Sequence, residues 1–229
     1  MSIRENLDHI RSTLPEHVTL VAVSKTHPAE AILEAYNAEQ RVFGENKVQE
    51  LVSKYEQLPK DIEWHLIGHL QSNKVKFVAQ FVSLIHSVDS LSLLKEINKQ
   101  AGKSKRVINC LLQLHIAEEE TKFGLSYEEC EALLVSEELS LMRNIKITGM
   151  MGMATNTDNK DQIKKEFRSL RIFFEKLKVG STFNFQLSTL SMGMSSDYRI
   201  AIEEGSTMIR VGSTIFGNRE YKDTSFSTH

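Results

Sequence analysis

The chain has 229 residues, 41% hydrophobic and 25% charged, a balance that supports a large globular core and excludes a collagenous or disordered chain. A formal net charge of -2 with mixed signs gives no basis for binding nucleic acid or an anionic membrane. The N-terminus is charged throughout, no segment approaches the roughly 20 apolar residues of a membrane span, and Cys110 and Cys130 are too few for a disulfide framework or metal knuckle, so a reduced, cytoplasmic protein is expected.

In chain order, Ile3, Leu7, Ile10 and Leu14 recur at helical spacing and predict an amphipathic helix over residues 1–15, placed to cover one end of a barrel. Val18 to Val23 is short, apolar and rich in β-branched residues, the pattern of a strand buried on both faces. It stops at Ser24-Lys25, and Pro28 opens a helix, where its missing N–H costs nothing. Lys25 therefore falls at the carboxyl edge of a sheet, where α/β folds place ligands, although a strand-end lysine is also commonly just a solvated charge.

The same alternation continues to the C-terminus. Strands are expected at 41–43, 63–67, 81–86, 106–116, 145–151, 185–191 and 208–211. Helices are expected at 29–38, 47–58, 73–80 with Ser72 as cap, from Asp89 or Ser90 to Gln100, 127–136 after Ser126, 161–178, from Ser195 or Ser196 to Ile202, and as a short turn opening at Gly212-Ser213. Eight strand-then-helix units without linker-like composition predict an α/β fold, a single (β/α)8 TIM barrel spanning 1–229, with a polar tail at 219–229. An open doubly wound sheet is the alternative.

In such barrels the loops after strands seven and eight commonly hold phosphate. Here they read Ser191-Met192-Gly193-Met194-Ser195-Ser196 and Arg210-Val211-Gly212-Ser213-Thr214, each with a glycine beside hydroxyl donors. In the first, Gly193 would permit close approach of backbone to ligand. Arg210 lies within a strand, so its charge needs a partner, either a ligand or an internal carboxylate. His65 also lies within a strand, as a core or a site histidine. The methionines at 150, 151, 153, 192 and 194 fall at strand ends, as gap-fillers or as the lining of a flat ligand. A lysine facing a phosphate site across one barrel mouth suits a carbonyl-bearing phosphate ester held as a Schiff base. Burial lowers a lysine pKa from about 10.4 and exposes the nucleophilic neutral amine. Pyridoxal phosphate and a sugar phosphate in an aldolase both fit that description.

AVSKT at 22–26, FGEN at 43–46, WHLIGHLQSNK at 64–74, Lys122-x-Gly124, LSMGMSSD at 190–197 and RVGSTIFG at 210–217 resemble, in order and across nearly the whole chain, the pyridoxal phosphate homeostasis (YggS or PROSC type) family. That resemblance implies a barrel like the N-terminal domain of alanine racemase, with pyridoxal 5'-phosphate as an internal aldimine on Lys25. It further implies that Ser191, Ser195, Gly212 and Ser213 hold the phosphate, that Arg210 lies near the pyridine nitrogen, and that Asn46 and His65 stand at the pocket wall. His69 has no assigned role. A cation at that nitrogen makes the ring a poor electron sink, and no second acid/base is evident, so a non-catalytic carrier is implied. The family affects amino-acid and keto-acid balance. A monomer is expected, with pyridoxal phosphate-dependent apoenzymes as recipients, while a part for other lysines such as Lys122 in cofactor transfer is not decided by the sequence. A low-activity racemase or lyase is the enzyme alternative, with Tyr198, His65 or Cys110 as its second proton-transfer group.

Overall fold

In the computed structural model, which describes residues 1–119, 123–179 and 186–217, eight parallel strands pair in sequence order and the last closes on the first. The strands are β1 Thr19–Val23, β2 Val42–Glu45, β3 Glu63–Leu66, β4 Leu84–Val88, β5 Ile108–Leu114, β6 Ile145–Gly152, β7 Thr189–Ser191 and β8 Met208–Val211. Closure runs from Thr19 against Met208 to Ala22 against Val211. The helices are α1 Ile3–Thr13, α2 Ala29–Asn37, α3 Val48–Gln57, α4 Val75–Val78, α5 Leu91–Lys103, α6 Tyr127–Leu134, α7 Glu137–Ser140, α8 Lys160–Val179, α9 Tyr198–Glu203 and α10 Ser213–Phe216. The barrel expected from the alternation is thus the barrel observed.

Alternating strand side chains separate into two apolar sets. Leu20, Ala22, Phe43, Trp64 and Ile209 join Leu7, Ile32, Leu51, Phe167 and other helix residues in the layer between strands and helices. Val21, Leu84, Leu111, Met151 and Met208 form a smaller cluster of their own, with Val42 and Met153 against it, which the alternation assigns to the barrel interior. This interior layer supports the polar residues of the carboxyl end.

Several expected boundaries shift. The first helix does not cover a barrel end. It stands in the outer ring between α10 and α2, with Asn6 Nδ2 donating to the Ile215 carbonyl at 2.9 Å and Arg11 Nη1 to the Ala38 carbonyl at 2.7 Å. The reason is length: α10 spans only four residues and cannot cover the seam between β8 and β1, so the buried Leu7 and Ile10 of α1 fill it. The fourth strand begins at Leu84 rather than Phe81, because Phe81 is still in the turn that ends α4, its N–H donating to the Val78 carbonyl. Ser72 opens a 3-10 turn over Ser72–Lys74 instead of capping a long helix. Ser126 caps α6 in a capping box with Glu129, and Ser136 then caps the unforeseen α7. Asp197, rather than a serine, precedes α9. The seventh strand, expected from Phe185, begins only at Thr189, with residues 186–188 outside the strand; Phe185 itself, the tail at 219–229 and Lys122 lie outside the described residues.

Candidate functional site

Lys25 leaves the sheet one residue after the ladder ends. Ser24 N still donates to the Gly44 carbonyl at 3.1 Å, and the chain turns so that His27 N donates back to Ser24 O at 3.1 Å. Lys25 then borders a cavity of about 620 Å³ at the carboxyl mouth of the barrel, together with Asn46, Ser195, Arg210, Gly212 and Ser213. That volume lies in the range of about 300–1,000 Å³ typical of small-molecule sites. Val23, Ile67, Met153 and Met194 supply apolar wall, and Ser196 and Thr214 add hydroxyls.

The loops after β7 and β8 are joined directly: Gly212 N donates to Ser195 Oγ at 3.2 Å. As at any helix start, the first N–H groups of α10, on Ser213 and Thr214, have no intrahelical acceptor. One corner of the cavity therefore concentrates hydroxyls and backbone N–H groups, a donor set suited to an anion. At φ 95°, a Cβ on Gly193 would come 2.8 Å from Tyr198 Cα and 2.7 Å from Ala201 Cβ, so the glycine lets the loop close onto α9.

Two expected site residues lie outside the lining. Ser191 and His65 are both buried, in a chain of contacts that starts from Arg210. Arg210 Nη1 donates to Ser191 Oγ at 2.6 Å and to the Ser191 carbonyl at 2.9 Å, and Nη2 donates to the Gly152 carbonyl at 3.0 Å. Ser191 Oγ lies 3.1 Å from His86 Nδ1, and His86 Nε2 lies 3.0 Å from His65 Nδ1. Because the guanidinium only donates, the consistent assignment sends every proton one way: Ser191 O–H to His86 Nδ1, then His86 Nε2–H to His65 Nδ1. Burial pulls the His65 pKa down to about 3 and that of His86 well below its usual value, the latter helped by His65 and Arg210, so both rings are neutral. Burial also lowers Arg210, against the pull of Asp197, to about 10, which leaves it cationic at neutral pH. A buried cation thus borders the cavity, bonded to two backbone carbonyls and a serine hydroxyl and attracted by the buried Asp197 carboxylate.

The mouth also holds His69, to which the sequence assigns no role, with Gln113 and Phe123. His69 lines the cavity, stacks on Phe123 at 4.5 Å between ring centroids, and lies 3.4 Å from Asp89 Oδ2. Gln113 also lines it and holds that loop, Nε2 donating to the Phe123 carbonyl at 2.8 Å. His69 lies inside the 64–74 motif, but Phe123 is distant from it in sequence, so no local pattern indicates that the two rings meet. Of the methionines, 150, 151 and 192 are core, while 153 and 194 reach the cavity. Tyr198 and Cys110 are buried away from the lining, and burial pushes the Cys110 thiol well up.

Residues 1–220 match the family model described as alanine racemase, N-terminal domain. A pyridoxal phosphate homeostasis protein of Aquifex aeolicus is 42% identical over 203 residues, covering 88% of this chain and 87% of that protein. The protein of that name in Escherichia coli K12 is 38% identical over 211 residues, covering 90% and 88%. Among solved structures, PipY of Synechococcus elongatus with PLP bound superposes with a TM-score of 0.86 at 40% identity, covering 94% of this chain and all of that one. An alanine racemase of Clostridium difficile superposes at 0.77 with 14% identity, over 97% of this chain and 59% of the enzyme, a likeness of fold alone.

Proposed function

This chain belongs to the pyridoxal phosphate homeostasis family, built on the N-terminal barrel of alanine racemase, and on that premise we propose that it binds pyridoxal 5'-phosphate as a Schiff base on Lys25 and serves to hold and supply the cofactor. The observation that carries the reading is a single cavity bordered by Lys25, by Arg210 and by the joined turns at Ser195 and Gly212-Ser213-Thr214. The chemistry of this donor set fits the cofactor group by group. An amine meets the aldehyde, hydroxyls and first-turn N–H groups meet the phosphate, and Val23, Ile67, Met153 and Met194 offer an apolar seat for the ring. Ser195, Gly212 and Ser213 hold the phosphate. Ser191 acts one step back, orienting Arg210, and His65 one step further through His86. Asn46 stands at the wall.

When bound, the cofactor supplies an electron-accepting ring, and its strength as a sink depends on protonation of the pyridine nitrogen. Arg210, fixed by three hydrogen bonds from below and cationic, disfavours that proton, which suits a carrier rather than a racemase. None of Tyr198, His65 and Cys110 lines the cavity, so none offers itself as the second acid/base of an enzyme. A racemase or lyase of low activity draws on one observation only, that His69 does line it. Deuterium exchange at the α-carbon of amino acids, no faster than with free cofactor, is the expected result, and faster exchange lost in His69→Ala supports the enzyme. In the carrier reading the protein acts as a monomeric single-domain barrel in the cytoplasm, donates to pyridoxal phosphate-dependent apoenzymes, and so affects amino-acid and keto-acid balance. Among the described residues no helix is long and apolar enough to cross a membrane.

The test of ligand and residue together is titration with pyridoxal phosphate, then borohydride reduction and peptide mapping. A visible absorption band and a pyridoxyl label on the peptide holding Lys25 are expected, with both lost in Lys25→Ala. Absence of the band, or a label elsewhere, overturns the reading.

A further inference from the structure

Both residues that flank Lys25 are tied to one cluster of charges behind it. Ser24 Oγ donates to Glu45 Oε1 at 2.6 Å, and the Ser24 carbonyl accepts from Lys54 Nζ at 2.8 Å. On the other side, Thr26 N donates to Glu50 Oε1 at 2.6 Å. Lys54 Nζ closes the cluster, 2.7 Å from Glu45 Oε1 and 2.6 Å from Glu50 Oε1. The side chain of Glu45 is fully buried, Lys54 is 7% exposed and Glu50 23%.

Two features of this arrangement are poorly explained by stability. The first is its chemistry. Packing β2 against α3 requires no ions, and a buried ion cluster loses in hydration much of what it gains in attraction, so an apolar contact would serve at least as well. What such a cluster does supply is one defined arrangement of the groups bonded to it. The second is the backbone. Thr26 has φ 69°, a conformation that β-branched residues rarely adopt and that persists only where surrounding contacts impose it. The bond from Thr26 N to Glu50 is such a contact, and the turn it holds is the one that carries Lys25.

We propose that Glu45, Glu50 and Lys54 are positioning residues that lock the Ser24-Lys25-Thr26 turn so that the Lys25 amine meets an aldehyde in the cavity in attacking geometry. The inference rests on the reading of Lys25 as the Schiff-base lysine. In that step the neutral amine adds to the aldehyde carbon, the C=N bond forms, and the carbonyl oxygen leaves as water. The cluster acts through the two neighbours of the lysine, Ser24 and Thr26.

The experiment separates placement of the amine from integrity of the pocket. Wild type, Glu50→Ala, Glu50→Gln and Thr26→Pro are titrated with pyridoxal phosphate, read by borohydride-trapped label on Lys25. They are titrated in parallel with pyridoxine 5'-phosphate, whose hydroxymethyl group cannot form an imine. Loss of orientation in E50A is expected to slow Schiff-base formation at least about tenfold, while pyridoxine phosphate affinity stays within about twofold. E50Q, whose amide oxygen can still accept from Thr26 N, is expected to recover most of the rate. T26P, at an exposed position, cannot adopt φ 69° and is expected to behave like E50A even if that variant folds poorly. Wild-type rates in both E50A and T26P overturn the proposal, as does an equal loss for both ligands, which would mean a damaged pocket. Wild type that binds pyridoxine phosphate yet yields no label on Lys25 instead removes the Schiff-base reading itself, and the proposal with it.

Discussion

Replacing Glu45 by glutamine should change how the protein's stability depends on pH. Burial pushes the Glu45 pKa from 4.5 to about 7, outweighing the Lys54 ammonium and the Ser24 hydroxyl that favour the charged form. Its Oε2 atom, moreover, has no hydrogen-bond partner. Between pH 4.5 and about 7 the folded protein therefore holds a proton that the unfolded chain has released, and stability falls as pH rises through that window. A difference of about 2.5 pKa units at about 1.4 kcal/mol each gives a loss of about 3 kcal/mol. His65 works in the opposite direction. With its pKa drawn down to about 3, its contribution is present above pH 6.5 and lost as pH falls toward 3. Both proteins share that term, so it cancels in their difference. The assay is urea unfolding of wild type and Glu45→Gln from pH 4.5 to 8.5. Whatever the offset at pH 4.5, E45Q should gain about 3 kcal/mol on wild type by pH 8. Parallel curves would refute the reasoning, because they would mean that Glu45 is ionised and fully paired throughout.

Other perturbations act at single contacts. Ser191→Ala removes the hydroxyl that accepts from Arg210 Nη1 and contacts His86 Nδ1. Leaving those buried groups short of a partner should cost about 1–3 kcal/mol in urea unfolding and weaken pyridoxal phosphate binding, and unchanged affinity would remove Ser191 from the support of Arg210. Gly149→Ala places a Cβ 1.8 Å from the Thr189 carbonyl oxygen across the β6–β7 pair. Forcing that pair apart should lower Tm by on the order of 10 °C, measured by circular dichroism, and a Tm within 2 °C or so of wild type would show that β7 can move aside.

Much of the barrel was legible in local pattern. Met208–Val211 is a strand over its expected residues, and the Ser126 cap with Glu129 three residues on marks the start of α6. Lys25, Asn46, Ser195, Arg210, Gly212 and Ser213, all inferred from strand ends, loop composition or family motifs, share one cavity. Ser191 was harder: β7 has three residues, too short a run for alternation to reveal which side chains face inward. Glu45 and Lys54 lie nine positions apart, one at a strand end and one in an ordinary amphipathic helix, and nothing in either pattern indicates that they meet.

Strand, helix and turn were determined within the sequence itself, because hydrophobic period, capping and glycine chemistry act over a few residues. Only the tertiary structure decided that Arg210 rests on Ser191 and two neutral histidines, that α1 fills the seam beside α10, and that the Lys25 turn is bolted to a buried charge cluster. Those contacts arise when β8 closes onto β1 and the strands take their register, and closure joins residues that no local period connects.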